Sequence, residues 1–209
     1  MLPQMRLLLV LLLAAAPALA AVPDKGEGTV TILGGVRAVY GNGAYLDEQF
    51  ASHQLFQPAG LVSFGYQYDE DLHFKIESGY LLDSYKVPEG KLLVRTIPLL
   101  IAIDTALWKG NGFTLYGGGG VGYSLNTGTR KGTDNEANST AAYLALGFRL
   151  RLNDTFALVF EDRVVLSSAQ VDAGSSEQRL NVGGNLTLLG IMFHFNQPDD
   201  KGHPRGPKD

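Results

Sequence analysis

The stretch FTLYGGGGVGYSL, residues 113–125, decides how this chain is read. Phe113, Leu115, Val121, Tyr123 and Leu125 occupy odd positions, with Gly117 and Gly119 between them. The even positions carry Thr114, Tyr116 and Ser124, with Gly118, Gly120 and Gly122 among them. A period of two held along the whole stretch describes a strand with two differently solvated faces. Glycine weakens a strand, so four in succession need a reason. A narrow closed barrel supplies one: glycine lets the strand bend sharply and leaves space inside for large neighbours.

Working outward, the N-terminal residues read as a targeting segment. Arg6 precedes an unbroken apolar run over residues 7–16, and Ala18 and Ala20 form a small-x-small site that places cleavage between Ala20 and Ala21. The run is too short to cross a bilayer as a helix, and no later stretch approaches twenty apolar residues, which excludes a helical membrane protein. The chain has no cysteine, so an exported product must hold its fold without disulfides, as a closed hydrogen-bond ladder can. The net charge of -4 and the lack of a basic patch give nucleic acid no footprint. A mean hydropathy of +0.02 suits a chain whose polar and apolar residues alternate. Residues 21–28, with Pro23, Asp24, Lys25 and Glu27, read as an exposed lead-in. Residues 29–195 read as one barrel, and 196–209, rich in Pro, Gly and charge, as a disordered periplasmic tail.

Alternation marks eight strands, over 29–40, 56–68, 72–82, 91–105, 113–125, 140–152, 156–166 and 179–195. The connections at 69–71, 108–112 and 153–155 are short, and those at 41–54, 83–90, 126–139 and 167–178 are long and polar. With an even number of antiparallel strands, the short turns and both ends share one side, as in bacterial outer-membrane barrels. A strand protein in a bilayer must close, because every backbone N–H and C=O needs an internal partner. The expected fold is therefore all-β, an eight-stranded antiparallel up-and-down transmembrane barrel. Pro98 removes a ladder donor within the fourth strand and predicts a bulge there. Asp162 falls on the apolar face of the seventh strand, where a bulge or the outer rim would have to absorb it.

Each strand gathers its Leu, Ile, Val and Phe on one face. Tyr66, Tyr68, Trp108 and Phe156 flank the short turns, and Tyr40, Tyr80 and Tyr123 lie toward the long loops, as two interfacial girdles would. The opposite face holds Arg37, Lys75, Glu77, Arg149, Arg151, Glu161 and Arg163. Inside an eight-stranded barrel side chains fill the lumen, and buried charges of both signs must pair. The expected interior is thus a plug of ion pairs; a narrow path for small solutes is the alternative. Alternation alone also admits the reverse arrangement, a soluble exported lipocalin-like binder with Leu144, Leu146 and Phe148 inside and Arg149 and Arg151 outside.

Residues 97–123, IPLLIAIDTALWKGNGFTLYGGGGVGY, resemble the pattern of the small outer-membrane β-barrel families of Gram-negative bacteria, the group that includes outer-membrane proteins W and X and the OmpA barrel. The match is an apolar strand after a proline, a short turn, then an aromatic followed by alternating glycines. Gly190, Phe193 and Phe195 resemble the Gly-x-x-aromatic-x-aromatic core of the assembly signal read by the outer-membrane insertion machinery. Leu188 stands where a polar residue is usual, and the chain continues past the terminal aromatic. The resemblance implies a bacterial outer-membrane location, outer-membrane lipid and lipopolysaccharide as surroundings, that machinery as an assembly partner, and a monomer. It implies a structural or surface-interaction role, or, on the model of outer-membrane protein W, passage of small hydrophobic solutes.

No cofactor, metal or catalytic residue is assigned. Gly117-x-Gly119-x-x-Gly122 has the spacing of a dinucleotide fingerprint, but that motif needs a helix directly after it, and here strand alternation continues. His53, His73, His194 and His203 have no metal-ligand spacing. His53 follows Ser52 near Asp47 and Glu48, residue types that lipid A-modifying enzymes use; without a His-x-Ser motif it reads as a solvated loop. The sequons at Asn138, Asn153 and Asn185 carry no meaning in a bacterial barrel.

Overall fold

The computed structural model describes residues 26–38, 56–87, 90–130, 132–172, 177–181 and 183–195. The strands are β1 (Gly28–Ala38), β2 (Gln57–Gln67), β3 (Leu72–Val87), β4 (Gly90–Gly110), β5 (Phe113–Arg130), β6 (Thr133–Arg151), β7 (Phe156–Asp172), β8 (Glu177–Asn181) and β9 (Gly184–Phe195). Every neighbour is antiparallel, and the order β6-β5-β4-β3-β2-β1-β9-β7 closes through a β6–β7 pairing. β8 and β9 are one stave of the barrel. Ser168 faces Asn181 and Val165 faces Gly184, so a single register on β7 runs through the interruption. Gly184 sits there at φ 139°, a conformation that favours glycine. The result is an eight-stranded, closed, up-and-down barrel.

The short turns close as the sequence requires. Asn111 and Gly112 link β4 to β5, with Gly112 at φ 73°. Asp69 Oδ1 accepts from the backbone N–H groups of Asp71 and Leu72, and Asn153 Oδ1 accepts from those of Thr155 and Phe156. Each carboxyl or amide thus folds its own turn.

Six expectations are corrected. The connections at 83–90 and 126–139 are not long loops: Val87 pairs with Gly90, and Arg130 pairs with Thr133, so the strands run on as hairpins. Likewise β7 extends to Asp172 against β8, where a loop over 167–178 was expected. Above a membrane both faces of a hairpin are wet, so apolar alternation disappears while the ladder continues. Pro98 makes no bulge. Ser78 faces Leu99 and Leu81 faces Thr96 in one register, and only the pairs between are lost, as a missing N–H dictates. The bulge lies at Leu107, between Ala106 and Trp108. Asp162 needs no register fault either. It sits squarely on the outward face of β7, opposite Thr187. Glu27, read as part of an exposed lead-in, is fully buried. The targeting segment with Ala18, Ala20 and Ala21, the 41–54 loop with His53, Tyr40, and the 196–209 tail lie outside the described residues.

Candidate functional site

The apolar face looks outward. Ile76, Ile101, Val121, Leu144, Leu166 and Leu189 are all exposed, with Leu144 73% accessible. That overturns the lipocalin-like reading, which needs Leu144 and Leu146 inside. Tyr66, Tyr68, Trp108, Phe156, Tyr80 and Tyr123 also point outward. At the short-turn end the aromatics form a belt the sequence reading saw only in part. Trp108, Phe113, Phe148 and Phe160 follow one another across β4–β7 with ring centroids 5.3–5.5 Å apart, and Phe156 meets Phe193 at 5.0 Å.

The inward face gathers the charges. Lys75 and Glu77 come from β3, Asp104 from β4, Arg149 from β6, and Glu161 and Arg163 from β7. Strand alternation aims all six at the lumen. The Arg163 guanidinium forks onto Glu77, Nη2 to Oε2 at 2.6 Å and Nη1 to Oε1 at 3.0 Å, and its Nε donates to Glu161. Lys75 Nζ reaches Asp104 at 3.1 Å and both Glu77 and Glu161 at 3.4 Å. Arg149 Nη2 donates to Asp104 Oδ2 at 2.5 Å. Three cations therefore meet three carboxylates, and the cluster is neutral. Two tyrosines complete it. Tyr116 Oη donates to Glu161 at 2.7 Å, and Tyr143 Oη donates to Glu77. Arg149 stacks over the Tyr116 ring at 4.2 Å and Arg163 over the Tyr143 ring at 4.3 Å.

The glycine run now has its reason. A Cβ on Gly120 would run into the Tyr143 ring and Ala102, one on Gly118 would meet Asp104, and one on Gly147 would meet the Tyr116 ring. These glycines clear the floor on which the two tyrosines lie. The outward Gly119 leaves a shallow apolar groove between Ile101, Ile103, Leu144 and Val164 on the lipid side.

Two satellites flank the cluster. Toward the long hairpins Arg37 pairs with Asp83. At the short-turn mouth Arg151 Nη2 donates to Glu27 Oε1 at 2.9 Å, and His194 Nδ1 lies 2.9 Å from Glu27 Oε2. Burial pushes the Glu27 carboxyl upward, but His194 and Arg151 outweigh it and hold the group below the usual carboxylate range. All seven charged residues named from the sequence thus line the interior. The sequence reading did not single out Glu27, Asp83, Asp104, His73, His194, Tyr116 or Tyr143. Their signal was position: each apart from Glu27, which precedes β1, stands at an inward-facing place in its strand.

Charge does not fill the whole lumen. Leu33, Leu61, Leu81, Leu186, Leu188 and Met192 pack inside as an apolar half alongside the polar one. Doublets such as Leu81-Leu82 and Leu188-Leu189 supply both faces at once, which hid this half from an alternation argument. Thr29 Oγ1 lies 2.9 Å from His73 Nε2, and His73 Nδ1 lies 3.5 Å from Asp104 Oδ2. The order is that of a nucleophile relay, but all three are buried at 2% exposure or less and Asp104 is taken by Arg149. Among the described residues no three of His, Cys, Asp and Glu group as a metal site. β5 runs on to Arg130 after the glycines, so no helix start meets a nucleotide there.

Comparison with known proteins agrees with this architecture. Residues 7–195 match the family model described as outer membrane protein beta-barrel domain. No curated protein sequence matches. Among solved structures, OprG of Pseudomonas aeruginosa superposes with a TM-score of 0.58 at 14% identity, covering 83% of this chain and 97% of that one. Neisserial surface protein A gives 0.58 at 15%, covering 82% and 98%. Outer membrane protein W of E. coli gives 0.53 at 15%, covering 82% and 99%. At such identities the likeness is one of fold. With the model spanning most of the chain and the apolar face turned to lipid, the protein is an outer-membrane barrel and belongs to the outer membrane protein beta-barrel domain family.

Proposed function

We propose that this protein is a closed scaffold in the outer membrane, with a structural or surface-interaction role carried by its extended external hairpins. The observation that carries this reading is the neutral cluster of Lys75, Glu77, Asp104, Arg149, Glu161 and Arg163, which spans the lumen from β3–β4 to β6–β7 beside a packed apolar half. Each charge is paired with an opposite one and has little left to offer a passing solute. On the same reading, Gly190, Phe193 and Phe195 on β9 serve as the assembly signal for the insertion machinery, with Phe193 packed outward on Phe156. The test is reconstitution of the full chain in planar bilayers, with uptake of small apolar solutes into vesicles measured in parallel. The expected result is no solute-dependent current and no uptake above protein-free vesicles. Saturable uptake of an apolar solute would overturn the scaffold reading in favour of a channel for small hydrophobic compounds.

A further inference from the structure

Asp162 is an acidic side chain on the lipid-facing surface. It follows Phe156, Leu158 and Phe160 on the outward face of β7 and precedes the exposed Val164 and Leu166. Six residues of a tilted strand set it about 15 Å above the Phe156 level, well inside an apolar band about 25 Å tall. Ionisable groups at such depth are costly and mark function by default. Asn185 Nδ2 donates to Asp162 Oδ1 at 3.0 Å, and Thr187 Oγ1 donates to the same oxygen at 2.8 Å. Both bonds fall on Oδ1; Oδ2 takes none from the described residues.

We propose that this β7–β9 face is an interface between two copies of the chain, with Asp162 Oδ2 of each accepting from Asn185 of the other. Two features select a second copy as the occupant. The depth is beyond lipid headgroups, so hydrogen-bond donors there come from protein. The patch is also self-complementary: the Asn185 amide has two N–H donors and gives one to its own Asp162 Oδ1, and a two-fold axis would set each amide against the other copy's carboxyl oxygen. Reciprocal bonds between polar groups are a known glue between membrane segments. Leu189, Val164 and Leu166, all exposed, supply the apolar surround. The assembly so proposed is a dimer held at one flank of the barrel, where the sequence reading expects a monomer.

The absence of cysteine makes the test direct. Leu189→Cys places a thiol beside the patch, and Ile76→Cys places one on β3, across the barrel. Oxidation of the full-length variants in native outer membranes is expected to give a covalent dimer for Leu189→Cys and not for Ile76→Cys. Adding Asp162→Leu to Leu189→Cys should lower the dimer yield by about tenfold, the worth of two such bonds, with Asn185→Leu acting alike. Retained heat-dependent gel mobility shows that each variant is folded. Equal cross-linking at both sites, no dimer at Leu189→Cys, indifference to Asp162→Leu, or an adduct with a different protein would each overturn the proposal. None of these outcomes bears on conductance, so the scaffold reading stands or falls separately.

Discussion

Arg163 touches both Glu77 and Glu161 and stacks on Tyr143, so it ties two carboxylates and a ring of the interior network together. Arg163→Ala leaves two buried carboxylates short of a cation and should cost about 3–5 kcal/mol. Urea unfolding from lipid vesicles, followed through the single Trp108, measures this. Replacing Glu77 and Arg163 together with Leu and Met should cost far less than the two single changes added; a plain sum would show that the ion pair is not a unit. Glycine position matters in the same way. Gly120→Ala thrusts a methyl into Tyr143 and Ala102 and should destabilise by more than about 1 kcal/mol, while Gly117→Ala, which meets only the tip of Leu107, should stay within about 0.5 kcal/mol. Glu27 releases its proton more readily in the folded protein than at its ordinary value of 4.5, so its contribution is complete above that value and is lost as pH falls below it. Lowering pH from about 5 to about 3 should therefore weaken the wild type, and Glu27→Gln should flatten part of that slope.

At the scale of elements, the β6–β7 turn depends on Asn153. Asn153→Ala removes two hydrogen bonds to backbone N–H groups and should cost about 1–2 kcal/mol, whereas Asn153→Asp keeps the acceptor and should be near neutral. Equal losses for both would place the effect outside the turn. Strands were legible wherever one face met lipid, as in Leu72–Leu82 or Ala142–Leu152, because the period of two then appears as hydrophobicity. They were illegible above the membrane, where Thr127, Thr129, Asn135 and Ala137 continue the β5–β6 ladder with no apolar side to betray it. Pro98 shows the converse error. A missing donor suggested a bulge, but the sheet kept its register and gave up only the local pairs.

For the whole molecule, closure is what holds the fold in the absence of disulfides. Unboiled protein extracted from outer membranes should run faster on a denaturing gel than boiled protein. A single unshifted band in membranes that contain the wild type would contradict a closed, detergent-resistant barrel. The apolar groove over Gly119 and the hydrogen-bonding patch at Asp162 adjoin on the outer surface, with Val164 and Leu166 of β7 bordering both, while the interior stays neutral.

By itself the sequence determined the strand number, the short-turn side and, once a bilayer rather than water is taken as the surroundings, which face meets lipid and the inward aim of Arg37, Lys75, Glu77, Arg149, Arg151, Glu161 and Arg163. All of these follow from the fixed two-residue period and from the bilayer's intolerance of open backbone. Only the tertiary structure decided which charge pairs with which, since Glu77 and Arg163 are 86 residues apart in the chain and meet across the lumen. Tertiary packing also decided that Leu33, Leu61 and Leu188 fill half the interior, and that Glu27 closes one mouth. The same holds for Asp162, whose support by Asn185 and Thr187 depends on the last strand lying beside the seventh. Partnership across strands is a matter of register and barrel curvature, and a linear pattern carries neither.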